Sequence, residues 1–94
     1  MKYFDWNNEK NQLLLETRGV SFEEVVLAIE NGDLLDRVKH PNAAKYPNQM
    51  VFYVSINKYV YAVPFVEDDE KIFLKTIIPD RKATEKYLGG STNE

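Results

Sequence analysis

The sequence predicts an α+β fold: two N-terminal helices followed by a four-stranded antiparallel meander sheet and a short C-terminal helix. Three observations predict it. The stretch from Lys58 to Arg81 holds two apolar runs rich in β-branched and aromatic residues, Tyr59 to Val66 and Ile72 to Ile78, separated by the charged bend Glu67-Asp68-Asp69-Glu70-Lys71. Both faces of the first run are apolar, as expected of a central strand covered on two sides. Ser21-Phe22-Glu23-Glu24 has capping-box spacing, and Phe22, Val25, Val26 and Ile29 follow it at helical intervals until Asn31-Gly32. Pro79-Asp80-Arg81 ends the second run, with Pro stopping the ladder and Asp80 placed to cap a helix.

In chain order, Tyr3-Phe4-Asp5-Trp6 reads as an edge strand or extended lead-in. Asn7 or Asn8 caps a first helix that runs to about Arg18, with Leu13 and Leu14 facing inward and Gly19 as its stop. The second helix follows at once. Leu34 to His40 is a strand with enough polar content to lie at an edge, and the segment from His40 to Gln49, with two prolines and no periodicity, is a long loop. Met50 to Ile56 alternates as a strand, and Asn57-Lys58 joins it to Tyr59 as a two-residue hairpin, with Asn57 suited to positive φ. Pro64 lacks a ladder donor, so a bulge or an unpaired stretch is expected near it. The last helix runs from Arg81 to about Leu88 and stops at Gly89-Gly90.

A chain of 94 residues, 44% hydrophobic and 29% charged, is the size and composition of one domain, expected over residues 1–90 with a flexible tail at 91–94. Its N-terminus has no signal-peptide core and no apolar run reaches the roughly 20 residues of a membrane span, so a cytoplasmic protein is expected. With no cysteine and one histidine, no metal site and no cofactor are expected. The net charge of −3 is unevenly spread: residues 1–33 carry three Lys/Arg against seven Asp/Glu, residues 34–66 four against one, and residues 67–94 five against seven. The middle is basic and the ends are acidic. A polyanion face and acidic faces for a basic partner are one reading of this, and a solvated mixed surface is the other.

No phosphate loop, no Ser/His/Asp spacing and no metal cluster is present. What remains is a set of cations and aromatics: Arg37, Lys39, His40, Lys45, Tyr46, Lys75, Arg81, Lys82, Lys86 and Tyr87. Such a set suits metal-independent RNA cleavage, in which the 2′-hydroxyl attacks the adjacent phosphate. That step needs a proton acceptor, a proton donor and cations for the developing charge. In this assignment Arg81, His40 and Lys45 are the catalytic candidates, with Arg81 on the phosphate and His40 or Lys45 as acid-base groups. Arg37, Lys39, Tyr46, Lys75, Lys82, Lys86 and Tyr87 are the candidate RNA-binding residues, the tyrosines donating a proton or stacking on a base. A histidine before proline also reads as a solvated loop residue.

Phe4-Asp5-Trp6-Asn7, Lys10-Asn11 and Gly19-Val20-Ser21-Phe22-Glu23-Glu24 resemble the N-terminal signature of BrnT-type toxins, the toxin halves of a class of bacterial type II toxin–antitoxin modules. Ile77, Ile78 and Arg81-Lys82-Ala83-Thr84 resemble that family's closing segment. The resemblance implies a RelE/ParE-like fold and an endoribonuclease that inhibits translation. It also implies an RNA substrate and a cognate antitoxin with a ribbon-helix-helix DNA-binding part, which would cover the helix pair or a sheet edge. Arg81 matches the family's C-terminal arginine. Two positions depart from the pattern: Arg18 stands where the family commonly has histidine, and Pro79-Asp80 where small residues are common. An arginine cannot shuttle protons at neutral pH. A toxin-fold protein acting by protein binding alone, and an interaction module without toxicity, are the alternatives.

Overall fold

The computed structural model describes residues 2–89. Its elements are β1 (Tyr3–Asp5), α1 (Asn8–Arg18), α2 (Phe22–Glu30), β2 (Leu34–Lys39), β3 (Gln49–Ile56), β4 (Tyr59–Glu67), β5 (Lys71–Leu74), β6 (Ile78–Pro79) and α3 (Arg81–Tyr87). The tail expected at 91–94 lies outside the described residues. Among the described residues no helix is long and apolar enough to cross a membrane.

The helices begin and end where local chemistry dictates. Asn7 accepts the Lys10 N–H at the start of α1, and Gly19, at φ 70°, closes it by donating to the Leu15 carbonyl. Ser21 and Glu24 form the reciprocal capping box of α2. Asp80 accepts the Ala83 N–H at 2.9 Å and so starts α3.

The sheet corrects the expected layout. It is a six-stranded mixed sheet in the order β1-β5-β4-β3-β2, with β6 paired to β4, rather than a four-stranded antiparallel meander. Two features overturn the expectation. The first is β1, which pairs in parallel with β5 through Tyr3–Lys71, Phe4–Ile72 and Asp5–Phe73, reinforced by a 3.2 Å ion pair from Lys71 to Asp5. The second is the break in the run from Ile72 to Ile78. Phe65 faces Leu74 but Ala62 faces Ile78, so one extra residue intervenes on the β5–β6 side. Pro64 explains the break. Its carbonyl accepts the Lys75 N–H, so its missing N–H also points to this side, and the ladder cannot continue past it. The β3–β4 register runs unbroken through Val51–Pro64. The interruption expected near Pro64 therefore falls between β5 and β6, where the Arg18 guanidinium takes the Ile77 carbonyl. The hairpin between β3 and β4 has positive φ at both Asn57 (54°) and Lys58 (66°), as a type I′ turn requires.

Alternation along the strands divides the side chains between two faces. Phe52, Val54, Val63, Phe65 and Leu74 meet Leu14 of α1 and Phe22, Val25 and Ala28 of α2 in the main core. Phe22 and Phe65 are fully buried, each contributing roughly 2–3 kcal/mol by removal from water. The rings of Phe52 and Phe65 stack with centroids 3.9 Å apart. The opposite face, with Val51, Tyr53, Val60, Ala62 and Pro64, is covered in part by α3 through its buried Ala83.

Candidate nucleic-acid interface

The position of α3 follows from hydrogen bonds that the strand end supplies. The Asp80 N–H donates to the Val60 carbonyl at 3.0 Å, and the Val60 N–H donates to the Thr84 hydroxyl at 2.9 Å. At its far end the Tyr87 hydroxyl donates to Asp36 on β2 at 2.8 Å, and the Tyr53 and Tyr87 rings lie 5.8 Å apart. Between helix and sheet runs an open groove of about 370 Å³ lined by Asp36, Val38, Tyr53, Asp80, Lys82, Ala83, Lys86 and Tyr87. The Lys86 ammonium sits 5.1 Å from the centroid of the Tyr87 ring.

The Asp36–Tyr87 hydrogen bond moves both of its partners away from neutrality. Donation from Tyr87 holds the Asp36 carboxyl below the usual carboxylate range. The same bond pushes Tyr87 up to about 12, and burial raises Tyr53. None of these three shifts moves a group toward pH 7.

The catalytic trio expected from sequence is not assembled. Arg81 follows Asp80 at the Val60 level of β4, which faces Ser55, whereas the His40 N–H bonds to Gln49 at the other end of β3. At about 3.3 Å per residue, roughly 20 Å of strand separates them. The Arg81 side chain is 87% exposed and its nearest partner is Glu85, at 3.7 Å. His40, Lys45 and Tyr46 form their own cluster. The His40 and Tyr46 rings are 4.6 Å apart, Lys45 lies 5.4 Å from the Tyr46 centroid, and Nδ1 of His40 accepts the Asn42 N–H at 3.0 Å. That bond occupies the nitrogen a base would use. The neutral ring then carries its proton on Nε2.

The remaining candidates are dispersed. Lys82, Lys86 and Tyr87 share the α3 groove. Arg37 lies on the other face of β2, bonded to Glu67 at 2.7 Å and with its guanidinium 5.6 Å from the Phe65 ring centroid, and Lys39 shares that face by alternation. Lys75 lies 5.6 Å from the Phe73 centroid in a separate groove of about 570 Å³ with Asn7, Glu9, Lys10, Leu13 and Phe73. Among the described residues no group of three or more His, Cys, Asp or Glu is disposed to hold a metal.

Models of protein families, curated proteins and solved structures give no match to this chain.

The N-terminal positions singled out in the sequence do structural work. Trp6 stacks on Phe22 at 5.8 Å, and Asn11 bridges the two helices by accepting the Phe22 N–H at 2.7 Å and donating to Glu23 at 2.8 Å. Arg18 bonds to the Ile77 carbonyl and so ties α1 to the segment that leads into α3. Sequence reasoning missed Asp36 and Tyr53 as groove residues. Asp36 and Val38 share one face of β2 by alternation, but nothing local signals that α3 reaches across the sheet to meet them.

Proposed function

We propose that this chain is the toxin half of a type II toxin–antitoxin module, a BrnT-type toxin that engages RNA in the cytoplasm and inhibits translation as a metal-independent endoribonuclease. The observation that carries the reading is the array on α3. Lys82 and Lys86 border one groove with the Tyr53–Tyr87 pair and Arg81 begins the same short helix, so cations for phosphate and aromatic faces for a base occur on one side of the sheet. Arg81 holds the scissile phosphate and stabilises its developing charge. His40 and Lys45, about 20 Å away along β3, do not share that phosphate. The antitoxin, a ribbon-helix-helix protein in this reading, docks on the α1–α2 layer, where Leu13, Leu15 and Leu27 are exposed.

The same separation favours a second reading, a toxin that acts by binding a protein without cutting RNA. Controlled expression with growth as readout, followed by incubation of purified protein with RNA in a chelator, divides the two. Growth arrest with RNA cleavage that Arg81→Ala abolishes, while antitoxin binding is kept, supports the nuclease. Arrest without cleavage supports the second reading. No arrest removes both.

A further inference from the structure

We infer that the groove between α3 and the sheet is a guanine-selective nucleotide site, with Asp36 reading the base, the contacting Tyr53 and Tyr87 rings offering it an apolar wall, and Lys82 and Lys86 holding phosphate. This rests on the reading that the groove takes RNA. Its volume of about 370 Å³ falls in the range of small-ligand sites, and its lining is a mixture of ring surface and charge.

The specificity follows from hydrogen-bond inventory. An ionised carboxylate only accepts, with about four lone-pair positions. At Asp36 the Arg37 N–H and the Tyr87 hydroxyl take one oxygen each, both at 2.8 Å, which leaves acceptor capacity on both oxygens. The Tyr87 bond also moves the pKa of this carboxyl further below neutrality. Guanine is the base whose Watson–Crick edge offers two adjacent donors, N1–H and the 2-amino group. Adenine and cytosine pair one donor with one acceptor there, and uracil has one donor between two carbonyls. Only guanine meets a bidentate acceptor without placing a lone pair against it.

The cations fit the rest of the nucleotide. Lys82 and Lys86 are one helical turn apart, a rise of about 6 Å along α3, and both border the groove. Asp80 does not compete for them freely, because its Oδ1 caps Ala83.

The test is titration of the full chain with the 5′-monophosphates of guanosine, inosine, adenosine, cytidine and uridine, followed by amide NMR shifts. Guanosine monophosphate is expected to bind at least about tenfold tighter than the adenosine, cytidine and uridine forms, with inosine between, and to shift residues lining the groove. Asp36→Asn replaces the paired acceptors with one acceptor and one donor, so preference should move from guanine to adenine. Affinities within about threefold of one another, shifts elsewhere, or a preference unchanged in a folded Asp36→Asn variant overturn the proposal. Short uridine oligomers with one central guanosine or adenosine separate RNA from free nucleotide as the source. If both oligomers bind the groove equally, guanine selection fails while the RNA reading stands. If the monophosphate binds and neither oligomer does, the RNA reading fails instead.

Discussion

Replacing Asn11 with alanine tests whether the N-terminal signature builds the fold or the site. The Asn11 carbonyl accepts the N–H of Phe22 at 2.7 Å, and its amide donates to Glu23 at 2.8 Å. Ser21 caps Glu24, so the first N–H of α2 relies on this partner from α1. Removing it leaves the N–H of Phe22, a fully buried residue, without this partner, which costs about 2 kcal/mol. For a chain of this size that lowers Tm by roughly 10 °C. Glu23 adds a pH signature. The Asn11 amide lowers its pKa, so this contribution is present above the unfolded carboxylate pKa and lost as pH falls through the folded value. The gap between parent and variant should therefore narrow in acid. Thermal unfolding followed by circular dichroism and by fluorescence of Trp6, which stacks on Phe22, reads both effects. A Tm within about 3 °C of the parent, or a gap that widens in acid, refutes the reasoning.

Thr84→Val keeps shape but removes the hydroxyl that accepts the Val60 N–H and donates to the Asp80 carbonyl, so urea unfolding should show a loss of about 1–3 kcal/mol. Gly19→Ala places a side chain at φ 70° with nothing within 4 Å of its Cβ, so it should lose about 1–2 kcal/mol from backbone strain alone, and Gly19→Asn less. Tyrosine ionisation followed by ultraviolet absorbance should show one group near pH 12 that disappears in Tyr87→Phe. Because the folded pKa is raised, the Tyr87–Asp36 contact is retained below the unfolded value near 10 and lost as pH rises toward 12. Lys82→Ala and Lys86→Ala should each weaken RNA binding and flatten its dependence on log salt by about one unit, measured by fluorescence anisotropy.

Local signals were legible and long-range pairings were not. Asn7, Ser21 with Glu24, Gly19 and Asp80 act within one helical turn, so the residues that form each cap lie together in the chain. The parallel partner of β1 has no such signal, because three residues, Tyr3–Asp5, do not specify which distant strand they will join. The split of β5 from β6 is a consequence of Pro64, a residue on the neighbouring strand. The run from Ile72 to Ile78 looks continuous when read alone. The site divides in the same way. Lys82, Lys86 and Tyr87 were recognisable from their place on the final helix, whereas Asp36 joins them only through a bond across 51 positions of sequence.

The separation of His40 from Arg81 is a matter of strand register, and it bears on what the charges can do. The β3–β4 hairpin fixes the loop and the start of α3 at opposite ends of the sheet, so their cations create two fields rather than one. The layers add a further division. Glu9, Glu16, Glu23, Glu24 and Glu30 make no ion pair among the described residues, and the helices that carry them, α1 and α2, cover the sheet face opposite Lys82 and Lys86. Packed layers lie about 10 Å apart, so these helices are separated from α3 by about 20 Å. That is about two and a half times the screening length at physiological salt, about 8 Å. RNA at the α3 groove then feels the local cations and little of the acidic layer, which is how a chain with net charge −3 can present a phosphate-binding surface. At low salt the screening length approaches the thickness of the molecule and the acidic helices oppose the same ligand. Charge on α1 and α2 therefore limits how much RNA affinity rises on dilution of salt, without touching the nucleotide.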